Sequence, residues 1–150
     1  MICAEEGVQC APDAIETLVK TSEGDLRRAV TYLQTASKLG QGEAVSSAMI
    51  AEISGVIPEE IIAHFFDTCG SSGFEAVEEV VRDLILSGYS GTQFLVQLHD
   101  YMVASSKLRS AQKAKIALRL GEVDKCLTDG ADEHLQLLNL ASYMMTVAQS

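Results

Sequence analysis

Pro58-Glu59-Glu60-Ile61-Ile62-Ala63-His64-Phe65-Phe66-Asp67-Thr68-Cys69-Gly70-Ser71-Ser72-Gly73-Phe74 is the stretch that decides the fold. Proline suits the first helical position, and two glutamates there oppose the positive end of the helix dipole. Ile61, Ile62, Phe65, Phe66 and Cys69 then recur at the spacing of a single helix face. Ser71-Ser72-Gly73 turns the chain into a second amphipathic helix, with Phe74, Val77, Val80, Val81, Leu84 and Ile85 expected inward and Gly88 as its stop.

The same pattern extends outward in both directions. Towards the C-terminus, Ser90 can cap a helix presenting Phe94, Leu95, Leu98, Met102 and Val103. Ser110 can cap another running to about residue 128, with Gly130 beyond it, and a last helix covers 132–149. Towards the N-terminus, a short helix over 46–54 ends at Gly55. Before it, Pro12-Asp13 opens a helix carrying Ile15, Leu18 and Val19. Gly24-Asp25 starts the next, with Leu26, Ala29, Val30 and Leu33 expected in the core. No stretch alternates with period two for long enough to make a strand, so the fold class is all-α. Leu39-Gly40-Gln41-Gly42-Glu43 has two helix-stopping glycines and no periodicity, which predicts two units, 1–42 and 43–150.

The chain has 150 residues and a formal charge of −10. Residues 1–100 hold sixteen acids against five bases, and residues 101–150 hold five against six. An acidic chain is repelled by phosphate backbones, which argues against autonomous nucleic-acid binding. The basic run Lys107, Arg109, Lys113, Lys115 and Arg119 reads as a solvated helix face, or as a DNA-facing one in a larger assembly. No apolar run approaches membrane-spanning length, and a soluble intracellular protein is expected. Cys3, Cys10, Cys69 and Cys126 are scattered, with buried thiols expected at Cys69 and Cys126. His64, His99 and His134 fall on separate helices, so no metal site is expected. Glu59-Glu60 and Glu78-Glu79 read as solvated pairs. No phosphate-cradling glycine loop and no grouped nucleophile and base are present in the sequence, so no catalytic residue is assigned.

Two faces read as surfaces for partners. From His134 to Ser150 there is no Asp, Glu, Lys or Arg. Leu137, Ala141, Met144 and Ala148 centre an apolar arc wider than half a helix, with Leu140 and Val147 on one flank and Leu138, Met145 and Leu135 on the other. One flank is expected to meet a neighbouring chain. In the helix before it, Ile116, Leu120, Val123 and Leu127 make the core stripe. A second strip of Ala111, Ala114, Leu118 and Gly121 suits close approach by another helix. The candidate interface residues are therefore Leu118, Leu138, Leu140, Met145 and Val147, and an uncovered flank favours self-association of the isolated chain.

Ser22-Glu23-Gly24-Asp25-Leu26-Arg27-Arg28-Ala29-Val30, followed by Tyr32-Leu33-Gln34, resembles the sensor-2 helix of clamp-loader ATPases of the AAA+ superfamily. Ile53-Ser54-Gly55-Val56-Ile57-Pro58, Gln97-Leu98-His99-Asp100, and Glu122-Val123-Asp124-Lys125 through Asp129 to Leu137 are similar to the collar of the small subunits of replication factor C. The resemblance covers essentially the whole chain in order. It implies a three-helix remnant of the AAA+ lid over 1–42 and a helical-bundle collar over 43–150 that joins five subunits into a ring. It also implies that Arg27 reaches the γ-phosphate of ATP bound to a core domain. ATP and magnesium would be cofactors of the complete subunit and not of this stretch. The implied partners are the other clamp-loader subunits, the sliding clamp and primer-template DNA, in the nucleus. The ATPase core is missing, and Ile2-Cys3-Ala4-Glu5-Glu6 reads as mid-element, which makes Met1 an expected truncation point. Ala11 stands where a capping Ser or Asp is usual. A stand-alone helical adaptor and a small enzyme with a pocket between helices are the rival readings. The adaptor lacks a 34- to 47-residue repeat, and the enzyme lacks a titratable cluster.

Overall fold

A computed structural model of the chain describes residues 9–22, 24–40, 43–71 and 73–150. Cys3, the Ile2–Glu6 segment, Gln41, Gly42 and Ser72 lie outside the described residues. The helices are α1 (Pro12–Thr21), α2 (Leu26–Leu39), α3 (Ser47–Ser54), α4 (Glu59–Ser71), α5 (Phe74–Leu86), α6 (Gly91–Ala104), α7 (Ser110–Thr128) and α8 (Glu133–Ala148). Among the described residues there is no strand, only an isolated bridge between Cys10 and Val45. The fold is all-α. Two of the three helices expected for 1–42 fall on described residues, and none of the described helices is long and apolar enough to cross a membrane.

The chain divides into two compact units, Met1–Val56 and Ile57–Ser150. The expected boundary near residue 42 is therefore displaced to 56. The backbone beyond the glycines returns to the first helix. Val45 N–H donates to the Gln9 carbonyl at 2.8 Å, and Ala11 N–H donates to that of Val45 at 3.2 Å. Ser47 Oγ donates to Asp13 Oδ2 at 2.8 Å, and α3 packs on both α1 and α2. Val45 and Ile50 join Ala14, Leu33 and Ala36 in one small core. An eight-residue helix carries too short a pattern to reveal which unit it serves.

That small core also explains two misplaced residues. It reaches the later turns of α2 but not its start, so Leu26, expected inside, is 68% exposed, and Val19 on α1 is 62% exposed. The expected cap deficit at Ala11 is real, since no side chain caps α1.

In the second unit α8 packs against α4, α5 and α7, while α6 lies on α4 and α7. Phe65 meets Phe94 edge-on at 4.9 Å between ring centroids, and Phe66 meets Tyr101 at 5.4 Å. Phe74 and Val103, expected inward, are half exposed because each lies at a helix end, beyond the bundle. Polar side chains fix the joints. The Gln97 amide accepts from Ile57 N–H and donates to the Ile57 carbonyl, both at 2.8 Å, holding the first residue of the unit as a strand neighbour would. Ser90 caps α6 as expected. The cap of α7 is not Ser110, which is already helical; Gln112 Oε1 accepts from Arg109 N–H at 3.0 Å instead.

Gly91, buried at the start of α6, lies against the Glu133 side chain. Its N–H donates to Glu133 Oε1, and an added Cβ would lie 2.9 Å from Glu133 Cγ. Gly91→Ala is therefore expected to cost about 1–3 kcal/mol by crowding and by loss of that hydrogen bond. Gly121→Ala, in a helix interior with open space around it, should instead gain roughly 0.5–1 kcal/mol. Urea denaturation of both variants checks the contrast, and Glu133→Ala should remove most of the penalty at Gly91.

Candidate functional site: an exposed arginine and two uncharged helix faces

Gly24 (φ +82°) makes the turn before α2 in a backbone conformation that side chains with a Cβ rarely adopt. Asp25 then caps the helix, its Oδ1 accepting from the N–H groups of Arg27 at 2.8 Å and Arg28 at 3.3 Å. Arg27 thus sits in the first turn with an exposed side chain, on a start fixed by a glycine and a carboxylate. Leu26 does not brace it from the core, contrary to expectation. In water such a guanidinium interacts only weakly with its surroundings; it gains strength where a phosphate is held in a dry contact.

The two candidate faces lie in the second unit. On α8, Leu137, Leu140 and Ala141 are fully buried and Val147 is 4% exposed. The expectation that Leu140 and Val147 belong to an interface is therefore corrected: that flank is the domain's own core, and a neighbouring chain has no access to it. Leu138 and Met145, on the other flank, are half-buried at the core's edge, and Leu135 is exposed. On α7, Gln112, Ile116, Leu120 and Val123 face inward, and Leu127 is half-buried. The second strip, Ala111, Ala114, Leu118 and Gly121, is wholly exposed, with Leu118 at 74%.

Most of the basic run is engaged within the chain. Lys107 pairs with Asp67 at 2.6 Å, and that hydrogen bond raises its pKa above the usual lysine value. Arg109 donates to the Ser150 carbonyl at 3.2 Å and Lys113 to that of Val103 at 2.7 Å. Arg119 holds Glu122 and Asn139, each at 2.6 Å, and lies over the Tyr143 ring at 5.5 Å. The run is in large part a set of internal braces, which its charge pattern alone did not reveal.

The three histidines lie on α4, α6 and α8, and among the described residues no three of His, Cys, Asp and Glu could hold a metal ion. Both expected carboxylate pairs are exposed. Cys69 is buried, and burial pushes its thiol up to about 12, which leaves it a poor nucleophile. Cys126, expected buried, is only half-buried. Cys69 lies beside a cavity of about 420 Å³ lined by Phe66, Leu108, Ile116 and Met144, which helical periodicity alone does not locate.

Residues 57–143 match the family described as Replication factor C C-terminal domain, and residues 1–38 match that described as RCF1/5-like, AAA+ ATPase lid domain. The chain is 47% identical over 144 residues to Replication factor C subunit 4 of Homo sapiens, covering 96% of this chain and 39% of that protein. It is 44% identical over 141 residues to Replication factor C subunit 2 of Oryza sativa subsp. japonica, covering 94% and 41%. With the Replication factor C small subunit of Archaeoglobus fulgidus it shares 34% over 149 residues, covering 99% and 46%. The chain thus spans less than half the length of these curated relatives.

The two flanks of α8 should respond differently to polar substitution. Leu140→Ser with Val147→Ser is expected to destabilise the second unit by several kcal/mol, in the range of core truncations. Leu138→Ser with Met145→Ser should cost clearly less. Thermal unfolding followed by circular dichroism measures both, and equal losses would refute the assignment of flanks.

Proposed function

This chain belongs to the replication factor C family, and we propose that it is the subunit-joining portion of a clamp-loader small subunit, with Arg27 as its nucleotide-sensing residue. One observation carries the reading. The lid-type match falls within the first compact unit, and the C-terminal-domain match begins at Ile57, the first residue of the second. In this reading the first unit is the AAA+ lid and the second is the collar. The Ala111–Ala114–Leu118–Gly121 strip of α7 and the Leu135–Leu138–Met145 side of α8 are the surfaces offered to other subunits. An interface core depleted of charge is what such a contact requires.

The complete subunit would hold ATP and magnesium in a separate core domain. A set of five subunits would use that ATP to open a sliding clamp and place it on primer-template DNA in the nucleus. Within that scheme Arg27 meets the γ-phosphate and stabilises charge as the phosphoryl group leaves. The chain itself supplies neither a glycine-rich phosphate loop nor its lysine, so the arginine acts only on nucleotide held elsewhere.

Mixing this chain with the other four clamp-loader subunits tests the joining role, with co-elution as the expected result. Failure to co-elute, together with binding to unrelated peptides, would favour an adaptor. In the complete subunit, Arg27→Ala should lower ATP-dependent activity about tenfold or more, the scale of a lost transition-state contact, while stability changes by less than about 0.5 kcal/mol. Arg28→Ala is the comparison. Loss of activity at Arg28 with none at Arg27 would reverse the assignment. Calorimetry on this chain alone should detect no micromolar ATP affinity.

A further inference from the structure

The cavity beside Cys69 lies where the end of α4, the segment joining α6 to α7, and the helices α7 and α8 come together, and its volume is about 420 Å³. Its inner wall is apolar and sheltered: Phe66 is 6% exposed, and Cys69, Ile116 and Met144 are exposed still less. Asp67, Ser71 and Lys107 are exposed at its mouth. Leu108, half-buried, lines it between two anchored neighbours. Lys107 holds Asp67 at 2.6 Å, and Arg109 donates to the Ser150 carbonyl at 3.2 Å. Two other grooves in this unit, of about 270 and 350 Å³, differ in their rims, which carry exposed carboxylates: Glu60 and Asp83 in one, Glu59 and Asp100 in the other. Hydrated carboxylates disfavour an apolar occupant there.

The chemistry of an occupant follows from what the cavity leaves unmatched. Charge is already balanced at the mouth. An anion would have to draw Lys107 away from Asp67 and then face that carboxylate, and a cation would meet the reverse, so the pair favours an uncharged molecule. The sheltered wall does have one strong donor to spare. Gln112, 8% exposed, carries two N–H groups on its amide nitrogen. One donates to the Val147 carbonyl at 3.0 Å, and the amide oxygen accepts from Arg109 N–H at 3.0 Å. The second N–H has no partner among the described residues. A donor kept from water gains most from an acceptor brought to it. Volume sets the size. A cavity of about 150 Å³ holds one benzene, so about 420 Å³ accommodates two fused rings with substituents.

We propose that this cavity is a binding site for a small, uncharged, mostly apolar molecule of two-ring size that carries one hydrogen-bond acceptor, such as a ketone or ester carbonyl. The apolar body lies on Phe66, Ile116 and Met144, the carbonyl accepts from Gln112, and the Asp67–Lys107 pair stays intact at the mouth. A molecule held there touches α4, α7 and α8 at once and stabilises the second unit by mass action. The site is internal to one bundle and involves no contact between chains, so it goes beyond the clamp-loader reading and does not depend on it.

The probe is 6-propionyl-2-(dimethylamino)naphthalene, a neutral two-ring ketone, titrated into the full chain with its methionine methyl groups labelled with carbon-13. Of the described methionines, Met49, Met102, Met144 and Met145, only Met144 lines the cavity. Its methyl resonance is expected to move saturably, with half-saturation at about 10–100 μM, while those of Met49 and Met102 stay in place. The propyl analogue, which lacks the carbonyl, should bind about threefold or more weaker for want of the Gln112 hydrogen bond. Raising salt from about 0.05 to 0.5 M should leave the affinity of the ketone within about twofold, since no charge is recognised. Ala148→Phe, which fills the cavity from its half-buried rim, should weaken binding about tenfold or more. Should that variant lose helix content by circular dichroism, Ser71→Phe at the exposed mouth takes its place. A Met144 methyl that does not respond up to the solubility limit of the probe overturns the proposal, as do equal shifts at Met49 and Met144. Equal affinity for ketone and propyl analogue, a tenfold loss with salt, or a folded phenylalanine variant that binds like wild type overturns it as well.

Discussion

The second unit depends on the burial of α8, a helix without charge after its first residue. It packs against α4, α5 and α7, and Leu137, Leu140 and Ala141 lose all contact with water. A lysine or glutamate facing any of those three neighbours would carry a desolvation cost of several kcal/mol, so the composition follows from the position. Each end of the helix is tied by a polar group on another element. At the N-terminus Glu133 accepts the Gly91 N–H. Near the C-terminus the buried Gln112 donates to the Val147 carbonyl at 3.0 Å. Gln112 also caps α7 with its carbonyl oxygen, so one side-chain amide satisfies the start of one helix and the end of the next.

Helix existence was legible in the sequence because caps and glycine stops agree with periodicity. Gly55, Gly88 and Gly130 all adopt positive φ where a helix end was expected, and Ser90 caps as its position suggested. Periodicity fixes which residues share a face but not what covers that face. Leu140 with Val147 and Leu138 with Met145 flank the same apolar arc symmetrically, and only the placement of α4, α5 and α7 distinguishes core from edge. The same blindness displaced Leu26, Phe74 and Val103, which fit their stripes but lie beyond the reach of the packing. It also displaced the unit boundary, since the glycines at 40 and 42 mark the end of a helix and not the end of a core. Arg27 stands out only through its resemblance to a family motif; its exposure and short-range geometry are those of an ordinary surface arginine.

Charge is distributed with a similar asymmetry. The basic run of α7 and the segment before it looks on paper like a phosphate-binding strip, yet most of it binds backbone carbonyls, Asp67, Glu122 and the Tyr143 ring. With a net charge of −10 the field around the molecule is negative. Any association between such molecules must overcome mutual repulsion, so it requires local complementarity rather than net attraction.

Exposed apolar residues are common on folded proteins and mean little singly. Leu118 differs because of what surrounds it. It stands on a helix face where small residues lower the backbone profile and no cation is engaged internally, while every base on the neighbouring turns that faces the bundle is engaged. A face on which Leu118 stands among small residues gains little from being folded within its own chain, since α7 already meets α6 and α8 through its opposite side. In the same way the Arg27 guanidinium contributes little while solvated. Solvated as they are, neither the Arg27 guanidinium nor the Leu118 side chain contributes much to the stability of its own unit.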